Sequence, residues 1–439
     1  MKWYDNAVFY HIYPLGLCGC SHKNEGAESS KFDKLKEWAK HASDIGCTAL
    51  YIGPLFESEG HGYETIDYQM VDRRIGTNEE FRDFVDYCHS IGVKVVVDGV
   101  FNHVGREFFA FRDLKEHREQ SMYKDWFCGV NFGGNNEYND GFCYENWGGY
   151  NLLVKLNVWN PAVREYLFDS VRKWICEFDI DGIRLDAADV LDHGYMQELR
   201  RVTDSLKEDF WLMGEVIHGI YSMWANPNEL HSVTNYELHK ALFSGHNDHN
   251  YFEIAHNVKR MFENSKGAKL YTFVDNHDVS RIASKLNNKA NMKPVAILQY
   301  ALPGIPSIYY GSEFGIEGDK QRGDDWNLRP CLELKDFEGN EYAEFLSKLG
   351  KAKKDYPELT DGEYRELLLT NRQYAFARVL GDNAVIAVVN NDEQPATVEI
   401  RLPVQSNMAT DVLSGDTFAV DGDRIKVEIP ANEGRLLKL

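Results

Sequence analysis

The chain has 439 residues, 43% of them hydrophobic and 27% charged, enough for two or three domains or for one large α/β barrel with additions. Its 69 acidic residues outweigh 48 basic ones, and the net charge of −21 sets up a field that repels polyanions and excludes nucleic acid as a partner. No run approaches the ~18 apolar residues of a membrane span, so no membrane partner is expected.

The first predicted strand is Val8 to Tyr13, and the residues before it lack the length and small-residue cleavage site of a secretory leader. Eight cysteines are scattered without CxxC pairs or matched histidine spacing, which argues against a zinc site and a disulfide framework. The expected location is the cytoplasm, with a secreted protein whose leader has been removed as the alternative. Further short apolar runs follow at Ala49 to Ile52, Val93 to Val97, Gly182 to Leu185, Phe210 to Met213, Tyr271 to Val274 and Ile308 to Tyr310, with a weaker one at Ser232 to Leu238. They are continuous in apolar character, as strands buried on both faces of a parallel sheet are. Helical patterns lie between them at 34–45, 78–91, 161–178, 195–206 and 293–302, so the chain reads as repeated βαβ units.

Two stretches break the rhythm. From about Val104 to Lys155 there is no clean period, only Gly, Asn and aromatic residues, which predicts a small excursion domain. After about Tyr356 the pattern becomes alternating short strands (Tyr374 to Val379, Ala384 to Val389, Thr397 to Leu402, Arg424 to Ile429), with turns at Gly381-Asp382 and Asp421-Gly422-Asp423. The fold class expected is α/β: a (β/α)8 TIM barrel with a small domain inserted after strand 3 and a C-terminal antiparallel β-sandwich. The divisions fall at 1–103, 104–157, 158–355 and 356–439.

Four of the apolar runs end in acids or histidines: Val95 to His103 (VVVDGVFNH), Gly182 to Asp189 (GIRLDAAD), Trp211 to Val216 (WLMGEV) and Phe273 to Asp278 (FVDNHD). The C-terminal end of barrel strands is where such folds carry their chemistry. Asp186 and Glu215 end consecutive strands, whose ~4.8 Å spacing suits the ~5 to 5.5 Å carboxylate pair of a glycosidase that retains configuration. Arg184 shares the strand parity of Asp186 and is expected to keep it ionised, while the apolar neighbours of Glu215 are expected to raise its pKa and keep it protonated. Asp278 makes a third acid at the same mouth, and His103 and His277 could donate to sugar hydroxyls.

The segments DGVFNH (98–103), GIRLD (182–186), Gly214-Glu215-Val216 and VDNHD (274–278) resemble, in order and spacing, the four signature regions of the α-amylase family of glycoside hydrolases. The likeness continues through HGYETIDY (61–68), KLNVWNPAV (155–163) and GIPSIYYGSEFG (304–315). This resemblance implies a retaining double displacement with Asp186 as nucleophile, Glu215 as general acid/base and Asp278 holding sugar hydroxyls in the transition state. It further implies that Arg184 orients the nucleophile, that His103 and His277 bind the glucosyl unit on the non-reducing side of the cut, and that Tyr63 stacks on it. Asn157 and His218 fall at secondary substrate contacts. Asp324 begins a segment (Asp324 to Pro330) that resembles a glycone-binding stretch in which Leu328 takes the place of a basic residue.

Within the family the chain is similar to cyclomaltodextrinase- and neopullulanase-like members. Those commonly carry an N-terminal β-domain, which is not expected here because the first strand begins by about residue 8. The activity implied is hydrolysis of α-1,4 bonds in maltooligosaccharides or starch fragments, with transglycosylation when a sugar replaces water. The alternatives are an α-glucosidase or an α-1,6-cleaving enzyme, and a catalytically silent carbohydrate-binding barrel. Ala187, standing where α-1,6-specific relatives tend to have Val, leans towards α-1,4 bonds. The family's secreted members bind a structural Ca²⁺, but Val190 stands at one ligand position and the ~6 to 8 oxygens required cannot be assembled. No cofactor and no metal are therefore expected, with Asn102 the one residue retained as a candidate ligand. The partner is an α-glucan, and the oligomeric state is left open.

Overall fold

The molecule is described by a computed structural model covering residues 2–439. The apolar runs become the staves of a parallel barrel: β1 (Phe9–Ile12), β2 (Ala49–Ile52), β3 (Lys94–Gly99), β4 (Gly182–Leu185), β5 (Trp211–Gly214), β6 (Ser232–Val233), β7 (Tyr271–Phe273) and β8 (Ile305–Tyr309). They pair in the order β6-β5-β4-β3-β2-β1-β8-β7. A single parallel bridge from Thr234 to Tyr271 then brings β6 against β7 and closes the ring. Successive side chains go to opposite faces. Phe9, Tyr51, Val96, Trp211 and Phe273 fill the barrel, while Tyr10, Leu50, Val95, Val97 and Leu212 meet the surrounding helices. Both faces are covered, which is why these runs show no polar alternation.

The expected helices form at Phe32–Asp44, Asn78–Ser90, Pro161–Phe178, His193–Leu206 and Met292–Ala301. Their ends follow local chemistry. Asn160 accepts from the Ala162 N–H ahead of Pro161, and Thr77 and Glu80 form a reciprocal capping box. The sixth strand is shorter than its expected span, 232–238. The side chain of Asn235 accepts from the Leu238 N–H and starts the helix Tyr236–Asn247 there. Helices at Tyr251–Ser265 and Glu341–Asp355 also emerge. The β5–β6 connection, 215–231, has only the single 3-10 turn Tyr221–Met223 where every other barrel connection carries an α-helix.

After β2 a hairpin of Phe56–Ser58 and Thr65–Val71 rises beside the barrel mouth. After β3 the chain leaves the barrel as anticipated. His103–Val104 pairs with Tyr150–Lys155, which pairs with Asn146–Trp147. The excursion is not wholly irregular, because Phe109–His117 is a helix burying Ala110, Phe111 and Leu114.

The C-terminal region is an antiparallel sheet of eight strands: β9 (Glu363–Leu369), β10 (Gln373–Leu380), β11 (Asn383–Asn390), β12 (Ala396–Arg401), β13 (Met408–Asp411), β14 (Thr417–Asp421), β15 (Arg424–Ile429) and β16 (Glu433–Lys438). Gly381 and Gly422, at φ +61° and +64°, lead the two-residue loops that join β10 to β11 and β14 to β15. Alternate residues of β10 and β11 serve two cores. Tyr374, Phe376, Val385 and Ala387 join the barrel's core, while Ala375, Ala377, Ile386 and Val388 pack with Val398, Ile400 and Val427.

Arg378 of β10 joins the two regions. Its guanidinium donates to the carbonyls of Ala301 (2.8 Å), Leu359 (2.9 Å) and Gly362 (3.0 Å). Beside it the amine of buried Lys353 donates to Leu359 O at 2.7 Å. Among the described residues no helix is long and apolar enough to cross a membrane.

Candidate active site

The parallel ladder carries its hydrogen bonds up to the reactive positions. The Asp186 N–H donates to Gly99 O at 3.1 Å, and the Glu215 N–H donates to Leu185 O at 2.9 Å. Asp98 lies two residues beyond inward-facing Val96, so period-2 alternation turns it into the barrel as well. Arg184, buried in β4, unites the three acids. Its Nη1 is 2.9 Å from both Asp98 Oδ1 and Asp186 Oδ1, and its Nη2 is 2.8 Å from Glu215 Oε2. One guanidinium therefore spans both carboxylates of the expected pair. Glu215 also accepts from the Ala187 N–H (3.2 Å) and from the Tyr236 hydroxyl (3.2 Å).

The electrostatics of Asp186 differ from expectation. Burial pushes the Asp186 carboxyl well above the usual carboxylate range, Arg184 opposes the push, and the charges of Glu215, Asp98 and Asp278 add to it. Arg184 is shared among several acids, so it does not by itself hold Asp186 ionised, and the upward push falls on Asp186. Asp278 behaves oppositely. Burial works against its charge, yet His277 and Arg329, at 3.0 and 3.2 Å, hold it well below the ordinary range. Burial, with His61 nearby, pushes the His103 imidazole down to about 3, so it stays neutral. Its Nε2 has no hydrogen-bond partner and lies 3.9 Å from Asp186 Oδ2.

Asp186, Glu215, Asp278, His103 and Arg329 line a cleft of about 570 Å³ at the C-terminal ends of the staves, with Arg184 and Asp98 buried behind them. Tyr63, carried by the loop of the hairpin after β2, donates to Asp98 Oδ2 at 3.0 Å and lies nearly parallel to the His277 ring, which it also meets through its hydroxyl. Trp147, from the excursion, also lines the cleft, its ring parallel to that of His103.

The structure thus brings together Asp186, Glu215, Asp278, Tyr63, His103, Arg184 and His277. Three other expected residues do not join the cleft lining. The amide of Asn157 donates to Asp125 O at 2.9 Å and ties the excursion down. His218 is exposed. Asp324 is exposed and its carboxylate accepts from the Trp326 N–H, while the next residue, Asp325, lines the cleft. Leu328 is fully buried, and the basic residue of that segment is Arg329, one position later, facing Asp278. Asp98, Tyr236, Trp147, Asp325 and Arg329 were not anticipated as site residues. Asp98 could have been found by extending strand parity from Val96, whereas Tyr236 was hidden inside an expected strand.

Asn102 is buried with its amide nitrogen 3.3 Å from His103 Nδ1. Among the described residues no group of three or more His, Cys, Asp or Glu is placed to hold a metal ion.

A family model described as the catalytic domain of alpha amylase matches residues 32–358, and one described as the maltogenic amylase C-terminal domain matches residues 364–435. Neopullulanase 2 of Thermoactinomyces vulgaris is 30% identical over 99% of this chain and 78% of its own length. The intracellular maltogenic amylase of Bacillus subtilis is 28% identical over 91% of this chain and 71% of its own. A solved cyclomaltodextrinase superposes with a TM-score of 0.91 at 26% identity, covering 100% of this chain and 78% of that one. The chain belongs to the alpha-amylase family and is a glycoside hydrolase.

Proposed function

We propose that this glycoside hydrolase cleaves α-1,4-glucosidic bonds of maltooligosaccharides and short starch fragments by double displacement with retention. The observation that carries the reading is the Arg184 guanidinium joining Asp186 and Glu215 at the floor of a sugar-sized cleft. Crowded, buried carboxylates cannot all be charged, so the cluster retains a proton. The reaction requires that proton on Glu215 while Arg184 Nη1 pairs with a charged Asp186.

Asp186 then attacks the anomeric carbon, the bond to the leaving oxygen breaks, and that oxygen takes the proton from Glu215. In the second half Glu215 removes a proton from water, the water oxygen attacks the same carbon, and the ester to Asp186 breaks. A sugar hydroxyl in place of water gives transglycosylation. Asp278, kept ionised by His277 and Arg329, binds ring hydroxyls, and neutral His103 offers its unpartnered Nε2 as a donor. Asp325, at the cleft, is better placed than Asp324 for the next sugar.

The division into 1–103, 104–157, 158–355 and 356–439 and a cytoplasmic location belong to the same proposal. Eight free cysteines and the name of the Bacillus subtilis relative support the location.

The test uses α-maltosyl fluoride, whose fluoride leaves without proton donation. Glu215→Gln should accumulate a maltosyl ester on Asp186 detectable by mass spectrometry, and Asp186→Asn should not. No adduct in the first, or an adduct in both, overturns the assignment. Chromatography of early products from maltoheptaose, panose and pullulan fixes the bond type, and preferential cleavage of α-1,6 bonds would replace α-1,4 in the reading.

A further inference from the structure

The missing helix between β5 and β6 leaves a hollow on the barrel's outer wall. A cavity of about 500 Å³ lies between the helix His193–Leu206, the strap that holds Tyr221–Met223, and the C-terminal end of the helix Tyr251–Ser265. It is separate from the catalytic cleft and shares none of its lining residues. In a chain of net charge −21 its lining contains Arg200, His231 and Lys266 and no carboxylate.

Each of these basic side chains has spare donor capacity. Arg200 gives Nε to Asp204 at 2.8 Å and Nη1 to Glu229 O at 3.1 Å, which leaves Nη2 uncommitted. Lys266 caps its helix in the left-handed conformation and is exposed, with no carboxylate paired to it. His231 Nδ1 accepts from the Leu212 N–H at 3.0 Å, and burial together with Arg200 and Lys2 pushes its pKa down to about 3. The ring is therefore neutral with its proton on Nε2, a donor that needs no counter-ion. Ser222, Asn226 and Ser265 add neutral polar groups, and Leu230, Pro227 and Ala268 give an apolar surface.

We propose that this cavity binds a hexose monophosphate, its phosphate held by Arg200, Lys266 and His231 and its ring set against the apolar wall with hydroxyls to the Ser and Asn side chains. The volume lies within the ~300 to 1,000 Å³ of small-molecule sites. Charged donors on a phosphate make the strongest hydrogen bonds available to such a ligand.

The experiment is calorimetric titration of the full chain with glucose 6-phosphate, with inorganic phosphate and with glucose. Glucose 6-phosphate should bind saturably, and Lys266→Gln and Arg200→Gln should each weaken it about tenfold, equivalent to ~1.4 kcal/mol. Lys266 is exposed, so its variant remains informative even where Arg200→Gln destabilises the helix. Hydrolysis of maltotriose by Lys266→Gln should keep the wild-type rate. Absence of saturable binding, or binding unchanged in Lys266→Gln, overturns the site. Inorganic phosphate binding as tightly as glucose 6-phosphate overturns the sugar part, and glucose binding as tightly overturns the phosphate part.

Discussion

Two of the places where this molecule buries a basic side chain balance it by different means. At the cleft floor Arg184 is met by the carboxylates of Asp98, Asp186 and Glu215. At the junction of barrel and C-terminal sheet, Arg378 and Lys353 meet only backbone carbonyls. Carbonyl dipoles compensate a charge less fully than ions do. Burial accordingly pushes Arg378 down to about 10 and Lys353 well below its usual range, whereas Arg184 is held firmly charged despite burial. Full charges that face one another can be reassigned when a proton moves, which suits chemistry. A cation on fixed dipoles suits attachment.

The sharpest way to break this contrast is to neutralise one member of each centre. Glu215→Gln preserves shape but removes the proton, so maltotriose hydrolysis should fall at least ~10²-fold in kcat with little change in melting temperature. Arg378→Met should do the reverse. Carbonyls of Ala301, Gly362 and Thr360 lose a donor in a buried place, costing about 3 kcal/mol in denaturant unfolding, while kcat of the folded protein stays near wild type. Equal loss of activity in both variants would dissolve the distinction.

Lys353→Met should be mildly stabilising, by about 1 kcal/mol at pH 7, because Leu359 O keeps its bond from Arg378 and a desolvated amine is removed. The sign with pH follows from linkage. The folded-state pKa lies below that of the unfolded chain, so between the two values the unfolded state binds more protons and the wild type gains stability as pH rises. The advantage of the variant should therefore shrink from pH 7 towards pH 10 in thermal melts, and growth of the advantage would contradict the burial argument. The smallest effect concerns the acid limb. In the proposed mechanism Glu215 holds the proton while Asp186 ionises, so with α-maltosyl fluoride as substrate Glu215→Gln should leave the acid limb of the first half-reaction near its wild-type position, and a clear move to lower pH would show that a charged Glu215 had been raising Asp186.

The difference between the two centres also governs what could be read from the sequence. Asp186, Glu215 and Asp278 were legible because each ends a run of apolar residues, and strand parity alone placed Arg184 with them. The junction was invisible. Arg378 lies in an alternating strand where nothing local distinguishes a buried guanidinium from an exposed one, and its partners are backbone atoms from helix ends far away in sequence. The helix Phe109–His117 was hidden for a related reason. Its buried positions are Ala110, Phe111 and Leu114, a short stripe in an excursion that soon becomes rich in Gly and Asn. Asp324 was chosen over Asp325 because in a loop without period nothing in the residues fixes which of two neighbours turns inward.

The Asp186 and Glu215 amides are the last rungs of the sheet, bonded to Gly99 and Leu185. Their backbones cannot drift without unzipping the staves, so the distance between the proposed nucleophile and the proposed acid is set by the barrel and is insulated from the loops above. Loop insertions, deletions and grafts beyond those rungs can then retune which sugars enter while leaving the reacting pair in register, a division of labour that makes the rim of this molecule a tolerant place for engineered or evolved change.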